Sequence, residues 1–142
     1  MSSYMLRSEV DQDLLRFPAH PASLGEVRRV VRSRMAEASL DSQAADDLLL
    51  AVSEACTNAV LHSHSHHFDL TLNVYADRIE IEVSDEGVFT YRAPDPDPVA
   101  VGGHGIRLMT LLMDQVLIRR GTERRPGTTV VMVKVLPEAS PV

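Results

Sequence analysis

Residues Glu54 to His62 read EACTNAVLH and lie in a run from Asp41 to His62 that contains no glycine or proline. The run is predicted to be a helix, because its apolar residues recur at three- and four-residue intervals. Glu54, Asn58 and His62 follow one another at four-residue steps, so successive side chains drift by only about 40° around such a helix. They form one polar stripe, and the opposite face of the helix is apolar.

A carboxylate, a carboxamide and an imidazole in line can do three different things. They can polarise a hydroxyl group, coordinate a hard cation through oxygen and contact a phosphate. The alternative for such a stripe, taken by itself, is a solvated helix face. The sequence around the helix is therefore needed to distinguish the two interpretations.

Directly after the helix, the chain alternates between apolar and polar residues. Phe68–Tyr75 has this pattern, which indicates a half-buried strand. Ala76–Asp77 forms a turn, and the alternation resumes with Ile79, Ile81 and Val83. We expect an antiparallel hairpin.

The flanking elements complete the predicted fold. Upstream, Leu14–Pro18 is predicted to be a strand paired with Met5–Val10, and a helix is predicted from Ser23, with Ser23 as N-cap and Glu26 completing a capping box. The arginines of that helix are expected to be solvated; they are Arg28, Arg29, Arg32 and Arg34. Downstream, the predictions are a helix from about Ile106 and the strands Val116–Arg119 and Thr129–Val135 around the turn Gly121–Gly127. The order β-α-α-β-β-loop-α-β-β predicts an α+β fold, a two-layer sandwich of a mostly antiparallel sheet with helices on one face.

Three short segments between these elements combine acidic residues, glycines and a threonine. Asp85-Glu86-Gly87 ends a strand. A carboxylate at a strand end can accept a hydrogen bond from the exocyclic amine of adenine, and Gly87 lets the backbone approach the base closely. Gly103 and Gly105 precede a helix, where unpaired N–H groups and the helix dipole favour phosphate. Thr128 follows Gly127 and offers a hydroxyl beside the base.

Composition limits the class of protein. The 142 residues fit one domain, 1–142, and the net charge of −6 argues against direct nucleic-acid binding. No apolar run approaches the roughly 20 residues that span a bilayer, which excludes a membrane span. With a single cysteine, Cys56, and no basic start followed by an apolar stretch, the protein is expected to be cytoplasmic.

Taken in order, EACTNAVLH, Asp85-Glu-Gly87, Gly102-Gly103-His-Gly105 and Gly127-Thr128 resemble the ATP-binding boxes of the GHKL superfamily, which contains gyrase B, Hsp90, histidine kinases and MutL. The wording of the first box and the small size resemble the RsbW and SpoIIAB group of anti-sigma factors, which are also serine kinases. The resemblance runs from Leu14 to Leu136 and implies the Bergerat-type ATP-binding fold, with an ATP lid at about residues 86–104.

The resemblance also implies roles for single residues. Glu54 matches the general base, and Asn58 matches the Mg²⁺ ligand that positions the phosphates of ATP. Asp85 matches the adenine-reading carboxylate. The nucleotide-binding positions implied in this way are Asn58, His62, Asp85, Gly87, Gly103, Gly105 and Thr128.

The implied function is a partner-switching serine/threonine kinase. It transfers the γ-phosphoryl group of ATP to an anti-anti-sigma (STAS) protein, sequesters a sigma factor and forms a homodimer. The chain departs from the family pattern at Phe89, where a second glycine is common, and in a short proline-rich lid whose basic residue is Arg92. These departures favour the alternative, an ATP-binding adaptor or anti-sigma module without kinase activity.

The histidines from His62 to His67 raise the possibility of a metal site, but their spacing fits neither a helix nor a strand. A solvated loop is the preferred interpretation. Cys56 is expected to be a small buried apolar group rather than a reactive thiol.

Overall fold

The computed structural model describes residues 12–38, 40–62, 65–86, 103–122, 124 and 126–136. Three helices and five strands lie within these residues. The helices are α1 (Ser23–Glu37), α2 (Ser42–His62) and α3 (Gly103–Leu112). The strands are β1 (Gln12–Pro18), β2 (His67–Val74), β3 (Arg78–Asp85), β4 (Gln115–Arg120) and β5 (Thr128–Val135).

All five strands form one sheet in the order β1-β2-β3-β5-β4, and every neighbouring pair is antiparallel. The predicted hairpin is present as β2 and β3, closed by a hydrogen bond from the Tyr75 N–H to the Arg78 carbonyl. An antiparallel sheet with helices confirms the predicted α+β class.

The helices cover one face of the sheet. On β3, Ile79, Ile81 and Val83 are buried toward them, whereas the residues between are only partly covered. Helix α2 packs against α1, α3 and the strands β2, β3 and β5, so it is the centre of the helical layer. The core between the layers is built from aliphatic side chains and two stacked rings, Phe17 and Phe68, whose centroids are 5.6 Å apart.

Lys134 fastens the helical layer to the sheet at the end opposite Asp85. Its ammonium donates a hydrogen bond of 2.9 Å to the carbonyl of Leu112, the last residue of α3, and lies 3.8 Å from Asp47 on α2. A cation at a helix C-terminus also complements the helix dipole. The two helices are thereby held in register above β5.

Two predictions for the N-terminal part were wrong. Ser23 does not cap α1: the N-cap is Ala22 without a side-chain hydrogen bond, because the Ser23 hydroxyl donates instead to the Pro18 carbonyl at 2.8 Å. Arg34 is not a solvated residue. Its side chain is only 15% exposed and forms ion pairs with Asp13 on β1 and Glu37 on α1.

Other boundaries shift by a few residues. Helix α3 begins at Gly103 rather than near Ile106, and β4 extends to Arg120. Asp41 caps α2 by accepting a hydrogen bond from the Ala44 N–H, as the prediction of a helix start there requires. Strand β1 pairs with β2, and the predicted pairing with Met5–Val10 lies outside the described residues.

Candidate functional site

One row of side chains crosses the helix-facing side of the sheet at the end of β3. Asp85 is opposite Thr128 on β5 and opposite Phe68 on β2. Thr128 is in turn opposite Arg120 on β4. Directly opposed residues on antiparallel strands place their Cβ atoms about 5 Å apart, so the polar members of this row are close neighbours.

Asp85 and Thr128 are buried although both are polar. Asp85 is 8% exposed and Thr128 5% exposed. Phe68, in the same row, belongs to the hydrophobic core. The Thr128 hydroxyl oxygen has no hydrogen-bond partner among the described residues. A buried polar atom without a partner costs free energy, which a bound molecule or water can recover. The row therefore has unused hydrogen-bonding capacity.

Helix α2 forms the roof over this row. Asn58 on α2 lines a cavity whose floor is the sheet and whose side is formed by Met109 on α3. The other lining residues are Ala55, Ala59, Val83, Asp85, Ile118, Arg120, Thr128 and Val130. Ala55 and Ala59 are small, and the space between α2 and the sheet at this point is a mostly apolar slot. The slot has a few polar groups at one end, and its volume is about 30 Å³, so it must widen before a ligand as large as a nucleobase can enter.

The polar stripe on α2 divides at this point. Asn58 lines the cavity, whereas Glu54, one turn earlier, is half-buried and is not among the lining residues. His62 is the last residue of α2, and its side chain lies outside the described part of the structure. Of the three stripe residues, the structure therefore places Asn58 in the slot.

The glycines differ in what the structure describes. Gly127 has φ of +136°, a backbone conformation that side chains rarely adopt, and it lies against the carbonyl of Asp85. Gly103 and Gly105 form the first turn of α3 itself rather than a loop before it. The first turn of a helix still has unpaired N–H groups, so the expected anion-binding capacity remains. Gly87 lies outside the described residues.

Arg120 also lines the cavity but was not predicted, because the predicted strand ended at Arg119. Extending β4 by one residue places Arg120 on the same face as Val116 and Ile118, toward the helices. The alternation of apolar residues in β4 was the available signal. Its strength was limited because the strand is only six residues long.

Cys56 and the histidines contribute little to this site. Cys56 is fully buried on the core side of α2, and burial raises the pKa of its thiol from 9.0 to about 12. Among the described residues, no three side chains of the types that bind metals by nitrogen, sulfur or carboxylate oxygen are grouped together. Nor does any helix in the described ranges have the length and apolar character needed to cross a membrane.

The chemical groups of these residues match those of an adenine nucleotide. Asp85 can accept a hydrogen bond from an amine, and the unpartnered Thr128 hydroxyl can bond to a ring nitrogen or a water beside it. Asn58 offers an amide oxygen of the kind that binds Mg²⁺. Magnesium is usually held by one or two protein oxygens together with substrate phosphates, so a larger cluster of carboxylates is not required.

Comparison with known proteins places these features in a family. Residues 17–134 match the sequence profile of the histidine kinase-like ATPase domain. The chain is 31% identical to the serine-protein kinase RsbW of Bacillus subtilis, over 92% of this chain and 89% of that protein. It is 32% identical to the RsbW of Bacillus pumilus, with 92% and 90% of the two chains covered.

Solved structures show the same fold. The crystal structure of the RsbU and RsbW domains of a Mycobacterium tuberculosis protein superposes with a TM-score of 0.69 at 19% identity, over 89% of this chain and 32% of that one. A histidine kinase domain from Erythrobacter litoralis superposes with a TM-score of 0.54 at 21% identity, over 84% of this chain and 62% of that one. At these identities the two structures support the architecture alone.

Proposed function

Because the chain belongs to the histidine kinase-like ATPase domain family, we propose that it is an ATP-binding serine-protein kinase that also acts as an anti-sigma factor. The kinase part is supported by its identity with the serine-protein kinases named RsbW. The anti-sigma part is supported by the EACTNAVLH sequence, which resembles the first box of the RsbW and SpoIIAB group. The proposal includes a cytoplasmic location for the protein.

The observation that carries the proposal is the buried pair Asp85 and Thr128 at one end of an apolar slot. Directly opposed in the sheet, they offer an acceptor next to a hydroxyl that lacks a partner among the described residues. Adenine presents the complementary arrangement of an amine beside a ring nitrogen. Once the slot widens to admit the base, its apolar side chains would contact the faces of the base.

The polar stripe on α2 would contact the phosphate end of the nucleotide. ATP supplies the phosphoryl group, and Mg²⁺ would be held by the Asn58 amide oxygen together with phosphate oxygens. Glu54 would accept the proton of the substrate hydroxyl. The hydroxyl oxygen would form a bond to the γ-phosphorus as the bond between that phosphorus and ADP breaks. Gly103 and Gly105, in the first turn of α3, would donate backbone hydrogen bonds to phosphate. We also include His62 and Gly87 in the proposed nucleotide site, and for these two the support is the sequence motif alone.

The proposed protein partners are a sigma factor and a STAS-type anti-anti-sigma protein, with the latter as phosphoryl acceptor. The proposal also includes a homodimer. The face of the sheet away from the helices has no covering element among the described residues, and it exposes Leu14 by 72% and Leu117 by 46%. Apolar side chains on an uncovered sheet face favour contact with another protein surface.

The proposal is tested by isothermal titration with Mg-ATP, comparing wild type with Asp85→Asn and Asn58→Ala. Asp85→Asn turns part of the acceptor into a donor that opposes the adenine amine, so affinity should fall by at least about tenfold. Glu82→Gln is the matched control, since Glu82 lies on the same strand but on the opposite face of the sheet. It should bind ATP like wild type.

The kinase step is tested in the same preparations with radiolabelled ATP and STAS proteins from the same genome. Glu54→Gln should keep ATP binding while phosphoryl transfer falls by about 10²-fold or more, the usual contribution of a general base. Asp46→Asn, on the exposed side of α2, should retain transfer. If wild type does not bind millimolar Mg-ATP, the proposed function is wrong. If the protein binds ATP but transfers phosphate to no STAS protein, the kinase proposal is wrong and the alternative, a nucleotide-gated binding module, is supported.

A further inference from the structure

We propose that Arg120 contacts the base of the bound nucleotide and fixes its orientation against Asp85. The inference rests on the nucleotide site proposed above and adds a base-reading residue to it. Neither the motifs nor the comparisons assign a role to Arg120.

Arg120 is the last residue of β4 and lies directly opposite Thr128, which lies directly opposite Asp85. The three residues therefore form one line across three adjacent strands, on the side of the sheet that faces α2 and α3. All three line the same cavity. Arg120 is at the outer end of the line, where its long side chain can reach over Thr128 toward a ligand.

The chemistry of the line changes from one end to the other. The Asp85 carboxylate accepts hydrogen bonds only, the Thr128 hydroxyl can accept or donate, and the Arg120 guanidinium donates only. The edge of adenine has the reverse arrangement, an amine donor with a ring-nitrogen acceptor beside it. A base that gives its amine to Asp85 thus turns an acceptor nitrogen toward the donors of Thr128 and Arg120.

Arg119 shows that the position, rather than the charge, is special. It is the neighbour of Arg120 in the chain but points to the opposite face of the sheet, opposite Thr129. Both arginines are exposed and carry the same charge. A general electrostatic attraction for a polyanionic nucleotide would involve both of them, whereas of the two only Arg120 lines the slot that contains Thr128 and Asn58.

The test is the affinity of the full chain for AMP, ADP and ATP in wild type, Arg120→Ala and Arg119→Ala. We expect Arg120→Ala to bind all three nucleotides about tenfold more weakly, because one hydrogen bond from a charged donor is lost whatever the number of phosphates. Arg119→Ala should stay within about twofold of wild type. Arg120→Met keeps the aliphatic stem and should match Arg120→Ala, which separates the hydrogen bond from packing.

Three results would overturn the proposal. A loss that grows from AMP to ATP would assign Arg120 to the phosphates, an equal loss in Arg119→Ala would indicate general electrostatics, and unchanged affinity would exclude a contact. Asp85→Asn in the same series keeps this test separate from that of the site. If wild type binds ATP and Asp85→Asn does not, the nucleotide site stands even when Arg120 proves irrelevant. If wild type binds none of the three nucleotides, both proposals fail.

Discussion

At the level of single residues, the two neighbouring threonines of β5 differ in the state of their hydroxyl groups. Thr128 is 5% exposed and its hydroxyl has no partner among the described residues, whereas the Thr129 hydroxyl lies 3.1 Å from that of Ser84 on β3. The two side chains point to opposite faces of the sheet. They form a matched pair for separating stability from binding.

Replacing each threonine by valine, which has nearly the same shape, should change stability in opposite directions. Thr128→Val removes a buried hydroxyl without a partner, so the free energy of unfolding without nucleotide should rise by about 1 kcal/mol while ATP affinity falls. Thr129→Val breaks the bond to Ser84 and should lower the free energy of unfolding by about 0.5–1 kcal/mol with ATP affinity unchanged. Urea unfolding and titration calorimetry measure both quantities. If Thr128→Val is as destabilising as Thr129→Val, its hydroxyl has a partner in solution and the argument for an open hydrogen-bonding site is lost.

At the level of elements, the turn before β5 fixes the position of the row that contains Asp85. Gly127 has φ of +136°, and a Cβ atom there would collide with the Asp85 carbonyl and lie 3.2 Å from the Cα of Glu86. The turn is closed by a hydrogen bond of 2.6 Å from the Gly121 N–H to the Gly127 carbonyl. A side chain at Gly127 must therefore push β5 away from the end of β3.

We expect Gly127→Ala to lower the free energy of unfolding by at least about 2 kcal/mol and to weaken ATP binding, because strain and collision act beside Asp85. Gly25→Ala is the control: Gly25 is inside α1 and a Cβ there meets nothing within 4 Å. That change should raise stability by about 0.5–1 kcal/mol through helix propensity. Chemical denaturation of both variants makes the comparison. A Gly127→Ala protein as stable as wild type would show that the turn relaxes freely and does not position Asp85.

The elements also show what the sequence could and could not predict. Alternation predicted β2 and β3 to within a residue at each end, because each strand has one buried face and a period of two. Position 23 was predicted wrongly because the Ser23 hydroxyl chooses between its own helix and the Pro18 carbonyl, and that choice depends on how β1 meets α1. Local motifs predicted Asp85 and Thr128 as site residues. That the two are directly opposite each other, with Arg120 beside them, depends on the strand order β3-β5-β4, which brings together strands that are distant in sequence.

At the scale of the whole molecule, the single thiol links folding to alkaline pH. Cys56 is 0% exposed at the centre of α2, and burial raises the pKa of its thiol from 9.0 to about 12. The unfolded chain loses this proton near pH 9, while the folded chain keeps it until about pH 12. The contribution of the thiol to stability is therefore complete below about pH 9 and is lost as the pH rises toward 12.

Cys56→Ala removes this titration without changing the rest of the charge distribution. Between about pH 9 and 11, the free energy of unfolding of wild type should fall more steeply than that of Cys56→Ala, by up to about 1.4 kcal/mol per pH unit for one proton. The absolute stabilities will differ because alanine leaves a small cavity, so the comparison concerns slopes alone. Urea unfolding at a series of pH values measures both. Parallel slopes would mean that the thiol ionises within the folded protein, and hence that α2 opens to solvent at the level of Cys56. Since Cys56 is two residues from Asn58, such opening would also distort the roof of the proposed nucleotide site.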